Sequence, residues 1–179
     1  TLTLSGANTY TGGTTISAGT VELQGGAAIA DAGAVSIANA AGATLAVTNS
    51  ETIGSLAGGG GTGGAVTIAA GQTLTTGDAT NTTFAGVISG ATGALTKAGA
   101  GTFVLSGANT YAGGTTLDAG ILEVGSDQAL GTGTFDLSGG TIQASGAART
   151  LANPVTISAS STIRGALDLT FSGAVNLTM

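Results

Sequence analysis

Residues 1–23, TLTLSGANTYTGGTTISAGTVEL, return at 102–124 as TFVLSGANTYAGGTTLDAGILEV, an offset of 101 residues with 15 identities in 23. An internal copy of this length means that one structural unit is built twice, and it limits the fold to architectures that stack or circulate repeats. Both copies hold SGANTY-x-GGTT, with Ser5/Ser106, Asn8/Asn109, Tyr10/Tyr111 and the pairs Gly12-Gly13 and Gly113-Gly114 in matching places.

A shorter period runs inside the long one. Leu117, Leu137, Ile157 and Leu177 follow one another at steps of 20, and Thr115, Phe135, Val155 and Val175 keep the same step two residues earlier. Ile16, Ile37, Ile68 and Leu95 are the expected earlier occupants of that file, at looser steps of 21, 31 and 27. Within each unit the period is two: Val35-Ser36-Ile37, Val66-Thr67-Ile68, Phe135-Asp136-Leu137 and Val155-Thr156-Ile157 alternate apolar and polar residues, which is the pattern of a strand with one buried face. A glycine-bearing corner follows each, at Ala18-Gly19, Ala70-Gly71, Ala119-Gly120 and Gly139-Gly140, and then a second short strand such as Val21-Glu22-Leu23 or Thr141-Ile142-Gln143.

A strand of three to five residues is unstable alone, and a twenty-residue unit cannot bury its own apolar face. Coiling the chain so that each turn pairs with the turns above and below satisfies both the backbone and the core. The expected fold is therefore all-β, a parallel β-helix (solenoid) of about eight or nine rungs of roughly 20 residues, with Leu117, Leu137, Ile157 and Leu177 stacked on one wall and Leu122 and Ile142 on another. An antiparallel sandwich or propeller would call for Asn-Gly or Asp-Gly hairpin turns, and neither dipeptide occurs. The whole of 1–179 reads as one solenoid segment cut from a longer chain, with repeat copies near 1–24 and 102–125 and a glycine-rich, flexible insert at 57–64.

Composition removes most chemistry. The chain has no His, Cys or Trp, so it lacks an imidazole base, a thiolate nucleophile, a disulfide and the usual zinc ligands. Lys97, Arg149 and Arg164 are its only cations against nine carboxylates, a formal charge of −6 that excludes phosphate-neutralising nucleic-acid binding. Gly and Thr interrupt every apolar run before it reaches the ~18 residues of a spanning helix, and the first ten residues lack the basic and apolar blocks of a signal peptide. Gly, at 34 of 179, has no period of three, which excludes a collagen helix.

The segment SGANTYTGGTTISAGTVEL at 5–23 and its copy at 106–124, continued by LGTGTFDLSGGTIQAS at 130–145 and RTLANPVTISASSTI at 149–163, resembles the autotransporter-associated β-strand repeat of bacterial type V passenger domains. That resemblance implies a right-handed β-helix, and a protein secreted or held at the bacterial surface through an outer-membrane domain beyond this segment. It implies one partner, the translocator barrel of the same chain during export. It supplies no catalytic residues.

Three functions follow as expectations. The first is a non-enzymatic stalk that presents other domains and promotes passenger folding and translocation. The second is an adhesin or self-association module contacting host surface, matrix or sister cells. The third is a polysaccharide-processing enzyme on the same fold. No catalytic, cofactor-binding or metal-ligating residue, no cofactor and no small-molecule substrate is expected. Asp136 falls at the outward middle of a strand with Thr116, Thr156 and Asn176, and Glu22 and Glu123 share one repeat position, which reads as solubility and edge protection rather than a paired-carboxylate site. Glu123, Gln143 and Arg164 fall in one exposed file. The stretch Gly58–Gly64 contains no Asp at calcium-roll spacing and no following Lys-Ser/Thr for phosphate. The 32 threonines show no Thr-x-Thr pair recurring in phase. Tyr10 and Tyr111 read as packing residues, and Asn8 and Asn109 as satisfying turn backbone by local hydrogen bonds.

Overall fold

The computed structural model describes residues 1–178, which form strands and turns with no helix. Wall A holds β1 (Leu2–Leu4), β3 (Thr20–Leu23), β5 (Thr44–Val47), β8 (Ala65–Ile68) and β11 (Ile88–Ser89). Wall B holds β2 (Thr14–Ile16), β4 (Ala34–Ile37), β7 (Ser55–Gly58), β10 (Thr82–Phe84), β13 (Thr102–Leu105), β15 (Ile121–Val124), β17 (Thr141–Ala144) and β20 (Thr162–Ile163). Wall C holds β6 (Glu51–Ile53), β9 (Thr73–Thr76), β12 (Ala94–Lys97), β14 (Thr115–Leu117), β16 (Phe135–Leu137), β19 (Val155–Ile157) and β22 (Val175–Leu177). A last pair, β18 (Arg149–Leu151) and β21 (Leu169–Phe171), stands on its own.

Every pairing is parallel, and from β5 to β13 the chain visits walls A, C and B in rotation. This is a β-solenoid, eight strands deep along wall B, which at about 4.8 Å per rung makes a rod roughly 40 Å long. Wall A loses regular strands after β11 but not its ladder: Thr110 N–H donates to Ile88 O at 2.9 Å and Thr132 N–H to Tyr111 O at 2.9 Å, before β18 and β21 resume regular pairing further along.

The inward files are ladders of like residues. Leu137 pairs with Leu117 on one side and Ile157 on the other, and Leu177 follows. Leu122 and Ile142 are partners on wall B. Each fully buried Leu or Ile contributes about 1.5–3 kcal/mol of transfer free energy, and the files meet in one continuous core. Phe171, half-buried, stacks against core residue Phe135 with ring centroids 6.4 Å apart.

The upstream part of the Leu117 file differs from the sequence expectation. Ile16 and Ile37 are partners on wall B, and Ile68 lies beside Val47 on wall A. Leu95 is on wall C but pairs with Thr115; the residues preceding Leu117 in its own file are Lys97, Thr76 and Ile53. The loosely spaced apolar residues of three walls were merged into one file, because early corners vary in length and shift the phase from wall to wall.

The corners follow two rules. Gly19, Gly71, Gly120 and Gly140 all have φ between 65° and 71°, a left-handed conformation that costs an L-residue about 1–2 kcal/mol. At strand ends, Thr48, Ser172 and Thr178 each send both N–H and hydroxyl to one carbonyl of the preceding turn, those of Leu23, Leu151 and Ile157, while Ser138 and Ser158 send N–H to Leu117 O and Leu137 O and hydroxyl to Asp118 and Asp136. The glycine-rich stretch 57–64 is not a flexible insertion. Gly58 is the end of β7 and pairs with Ile37 and Phe84. Asn39 Oδ1 accepts the N–H groups of Thr62 and Gly63, and a Cβ on Gly63 would stand 2.1 Å from Ala40 O. Glycine is required there because two backbones cross in contact.

Candidate functional site

The feature built twice is a clasp between turns. In the second copy Asn109, 1% exposed, donates from Nδ2 to Ala129 O at 2.6 Å and accepts at Oδ1 from Ile88 N–H at 2.7 Å, so one side chain ties three successive turns together. Asn8 makes the corresponding downward bond to Ala28 O at 2.9 Å. These bonds span turns; only the 3.1 Å contact of Asn8 Nδ2 with Gly6 O is the local kind expected from sequence. Tyr111 is wholly buried with its hydroxyl 2.5 Å from Thr115 Oγ1, which also donates to Leu130 O at 3.0 Å. Burial pushes the Tyr111 phenol above its ordinary value of 10. Tyr10 repeats the hydroxyl contact with Thr14 at 2.7 Å but is 38% exposed.

Just ahead of the second copy lies a residue that sequence reasoning counted only as a charge. Lys97, 1% exposed, points into the corner between turns, where its ammonium donates to Ala98 O, to Gly99 O at 2.8 Å and to Ala119 O at 3.1 Å. Burial holds the ammonium below the ordinary lysine value of 10.5, with the Asp78 carboxylate pulling the other way. Gly77 and Gly120 flank the cage so closely that a Cβ on either would meet Nζ at 3.2 and 2.8 Å. Alternation could have found this residue, since Lys97 shares the inward parity of Leu95 within β12.

The carboxylates are dispersed. Asp136 sits in register with Thr116, Thr156 and Asn176 and accepts from Ser158 at 2.7 Å. Glu123 pairs with Gln143, which donates to it at 2.6 Å, and exposed Arg164 follows Ile163 on the next turn. Thr80 donates its hydroxyl and N–H to Asp78 Oδ1, and the hydroxyl bond foremost holds that carboxyl below its ordinary 3.8. Glu51 is buried, one oxygen accepting from Ile29 N–H at 2.7 Å and the other without a partner. Among the described residues no three His, Cys, Asp or Glu side chains are grouped to hold a metal ion.

Thr52, Thr75, Thr96 and Thr116 do align in phase, one per turn down the outer face of wall C. Sequence spacing had concealed this file because the steps are 23, 21 and 20 residues. The neighbouring outward file begins with Thr73 and is broken at Ala94, so no two-rank threonine array forms.

The comparisons with known proteins agree with this anatomy. The passenger-associated-transport-repeat family matches residues 1–23 and 95–124, the two clasps together with Lys97. An adhesin autotransporter, BmaC of Brucella suis biovar 1 (strain 1330), is 40% identical over 126 residues, 69% of this chain and 4% of that protein. The chain thus spans a small fraction of the relative's length. No solved structure matches it.

Proposed function

We propose, from the premise that residues 1–23 and 95–124 are passenger-associated transport repeats and the chain a β-solenoid stretch of an autotransporter passenger, that this segment is a non-enzymatic stalk whose clasps drive turn-by-turn folding during export. Its place is outside the cell, secreted or at the outer-membrane surface. The observation that carries the reading is that each turn bonds only to its neighbours, through parallel registers of about 20 residues and through Asn109 and its counterpart Asn8. Such a chain threads through a narrow pore without disulfides, and each turn can lock as it emerges. Locked turns oppose backsliding in a system without ATP. The partner is the translocator barrel of the same chain.

The test replaces Leu117, Leu137 and Ile157 by Asp, or deletes 102–179, in the intact passenger. Surface yield should fall sharply, with material retained in the periplasm; unchanged yield would refute the export role. A second reading, adhesion, is favoured by the likeness to the Brucella suis adhesin autotransporter. Cell aggregation and host attachment measured with and without the segment, at matched surface levels, separate the two.

A further inference from the structure

Where wall A loses its regular strands, the rod surface is no longer flat. The irregular turn 126–133 and the stretch entering and leaving β18 bound a groove of about 250 Å³ lined by Asp127, Gln128, Gly131, Thr132, Ala152 and Asn153. Asn153 is 4% exposed and spends its amide nitrogen on Gly131 O at 3.1 Å and Gly133 O at 2.8 Å. Its Oδ1 accepts no hydrogen bond from the described residues and is left for an occupant of the groove that Asn153 lines. Asp127 is held at the rim by Thr150 N–H, which donates to its Oδ1 at 3.2 Å and leaves Oδ2 free.

The lining sets the chemistry of an occupant. Two oxygens, Asp127 Oδ2 and Asn153 Oδ1, ask for hydroxyl or amide donors. Gln128 and Thr132 can donate or accept. Gly131 and Ala152 offer small apolar area between them. No Lys or Arg lines the groove, so an anion would meet only the Asp127 charge. One carboxylate does not make a divalent-cation site. The volume lies just below the ~300 Å³ at which drug-sized pockets begin, the scale of one six-membered ring.

We propose that this groove is a binding subsite for one uncharged, hydroxylated ring of a glycan. The inference does not rest on the stalk reading, which needs only the turns. A single shallow subsite binds weakly, and copies displayed along a cell surface convert weak contacts into adhesion.

The test uses the whole 179-residue chain and heteronuclear NMR, titrated with cellotriose, maltotriose and chitotriose, and with glucuronate, a single charged ring, as the anionic probe. A neutral trisaccharide at millimolar concentration should shift amides at 127–133 and 150–153 alone. Ala152→Trp, on an exposed position, should fill the groove and abolish those shifts while the rest of the spectrum stays in place. Asp127→Ala should weaken binding about tenfold through loss of a charge-assisted hydrogen bond. The proposal is overturned if no neutral probe shifts these amides, if the shifts survive Ala152→Trp, or if glucuronate shifts them as strongly. Binding by a proline-rich peptide with no response to any sugar would also overturn it. Export yield of Ala152→Trp should be unchanged, so this test and that of the stalk fail separately.

Discussion

Lys97→Met is the most direct probe of how the second clasp is held. Methionine keeps most of the aliphatic stem, so Thr76 and Leu117 retain a neighbour in the inward file. What disappears is an ammonium and its bonds to the carbonyls of Ala98, Gly99 and Ala119. Hydrogen bonds from a charged donor stabilise by about 1.5–3 kcal/mol each, and an unpaired buried carbonyl costs about 1–3 kcal/mol. Against this, removing the ammonium recovers a desolvation penalty of several kcal/mol. With three acceptors left facing a side chain that cannot donate, the balance is a loss of about 2–4 kcal/mol. Urea unfolding followed by tyrosine fluorescence reads it, because the chain has two tyrosines and a Tyr10→Phe background leaves only Tyr111, on the turn being tested. Hydrogen exchange should localise the effect to residues 94–124, since solenoid turns couple mainly to neighbours.

The sign with pH is fixed as well. Lys97 has a lower proton affinity folded than unfolded, so its contribution is greatest above the unfolded value of 10.5 and is lost as pH falls through the depressed folded value. Tyr111 works in the opposite sense: its raised folded value gives stability that is present below 10 and lost as pH climbs. Subtracting Lys97→Met from wild type cancels Tyr111, so the difference should grow in favour of wild type as pH rises toward 10.5. A variant as stable as wild type at neutral pH would refute the carbonyl-cage argument, and a pH-independent difference would refute the lowered proton affinity of the buried ammonium.

Three further outcomes can be measured on the same chain. Asn109→Ala should cost about 2–4 kcal/mol, because Ile88 N–H and Ala129 O are both stranded, whereas Asn8→Ala should cost about 1 kcal/mol; equal values would mean the upward bond is idle. Leu137→Ala should cost about 2–5 kcal/mol from a cavity in the middle of the file, checked by the urea midpoint. Among glycines, Gly107→Ala should unfold its turn because the new Cβ meets Gly86 O at 1.9 Å, while Gly12→Ala, with open space and no left-handed φ, should be neutral within about 0.5 kcal/mol.

The downstream half was legible from sequence because its corners are equal. Three consecutive steps of 20 place Leu117, Leu137, Ile157 and Leu177 in phase, so spacing and stacking coincide. Upstream, the step is 19 from Leu2 to Val21, 24 from Val21 to Leu45 and 26 from Gly58 to Phe84, so neighbours on a wall are no longer neighbours in phase. The threonine file of wall C and the true predecessors of Leu117 were lost for that reason. Lys97 was lost differently: alternation puts it in an inward slot, but a charge there contradicts binary patterning, and the glycines that make room for its head mark the exception. The groove at Asn153 has no local signature, since it arises where one wall is interrupted and the next turns do not fill the gap.

The two clasps occupy different walls, and this says what the repeated unit is. From Leu2 the ladder runs through Val21, Leu45, Val66 and Ile88, four turns on wall A, and two walls later reaches Phe103 on wall B. The offset of 101 residues is therefore four turns and two walls, so SGANTY lies on the wall C side in the first copy and on the wall A side in the second, where Thr110 bonds Ile88. A motif read by an outside partner would keep its face. One whose bonds run up and down the rod need not, because parallel ladders look alike from every wall. The identity of the copies therefore reflects contacts between turns, and sequence likeness in this chain maps onto cohesion along the axis, whereas candidate recognition surfaces belong to the features the two copies do not share.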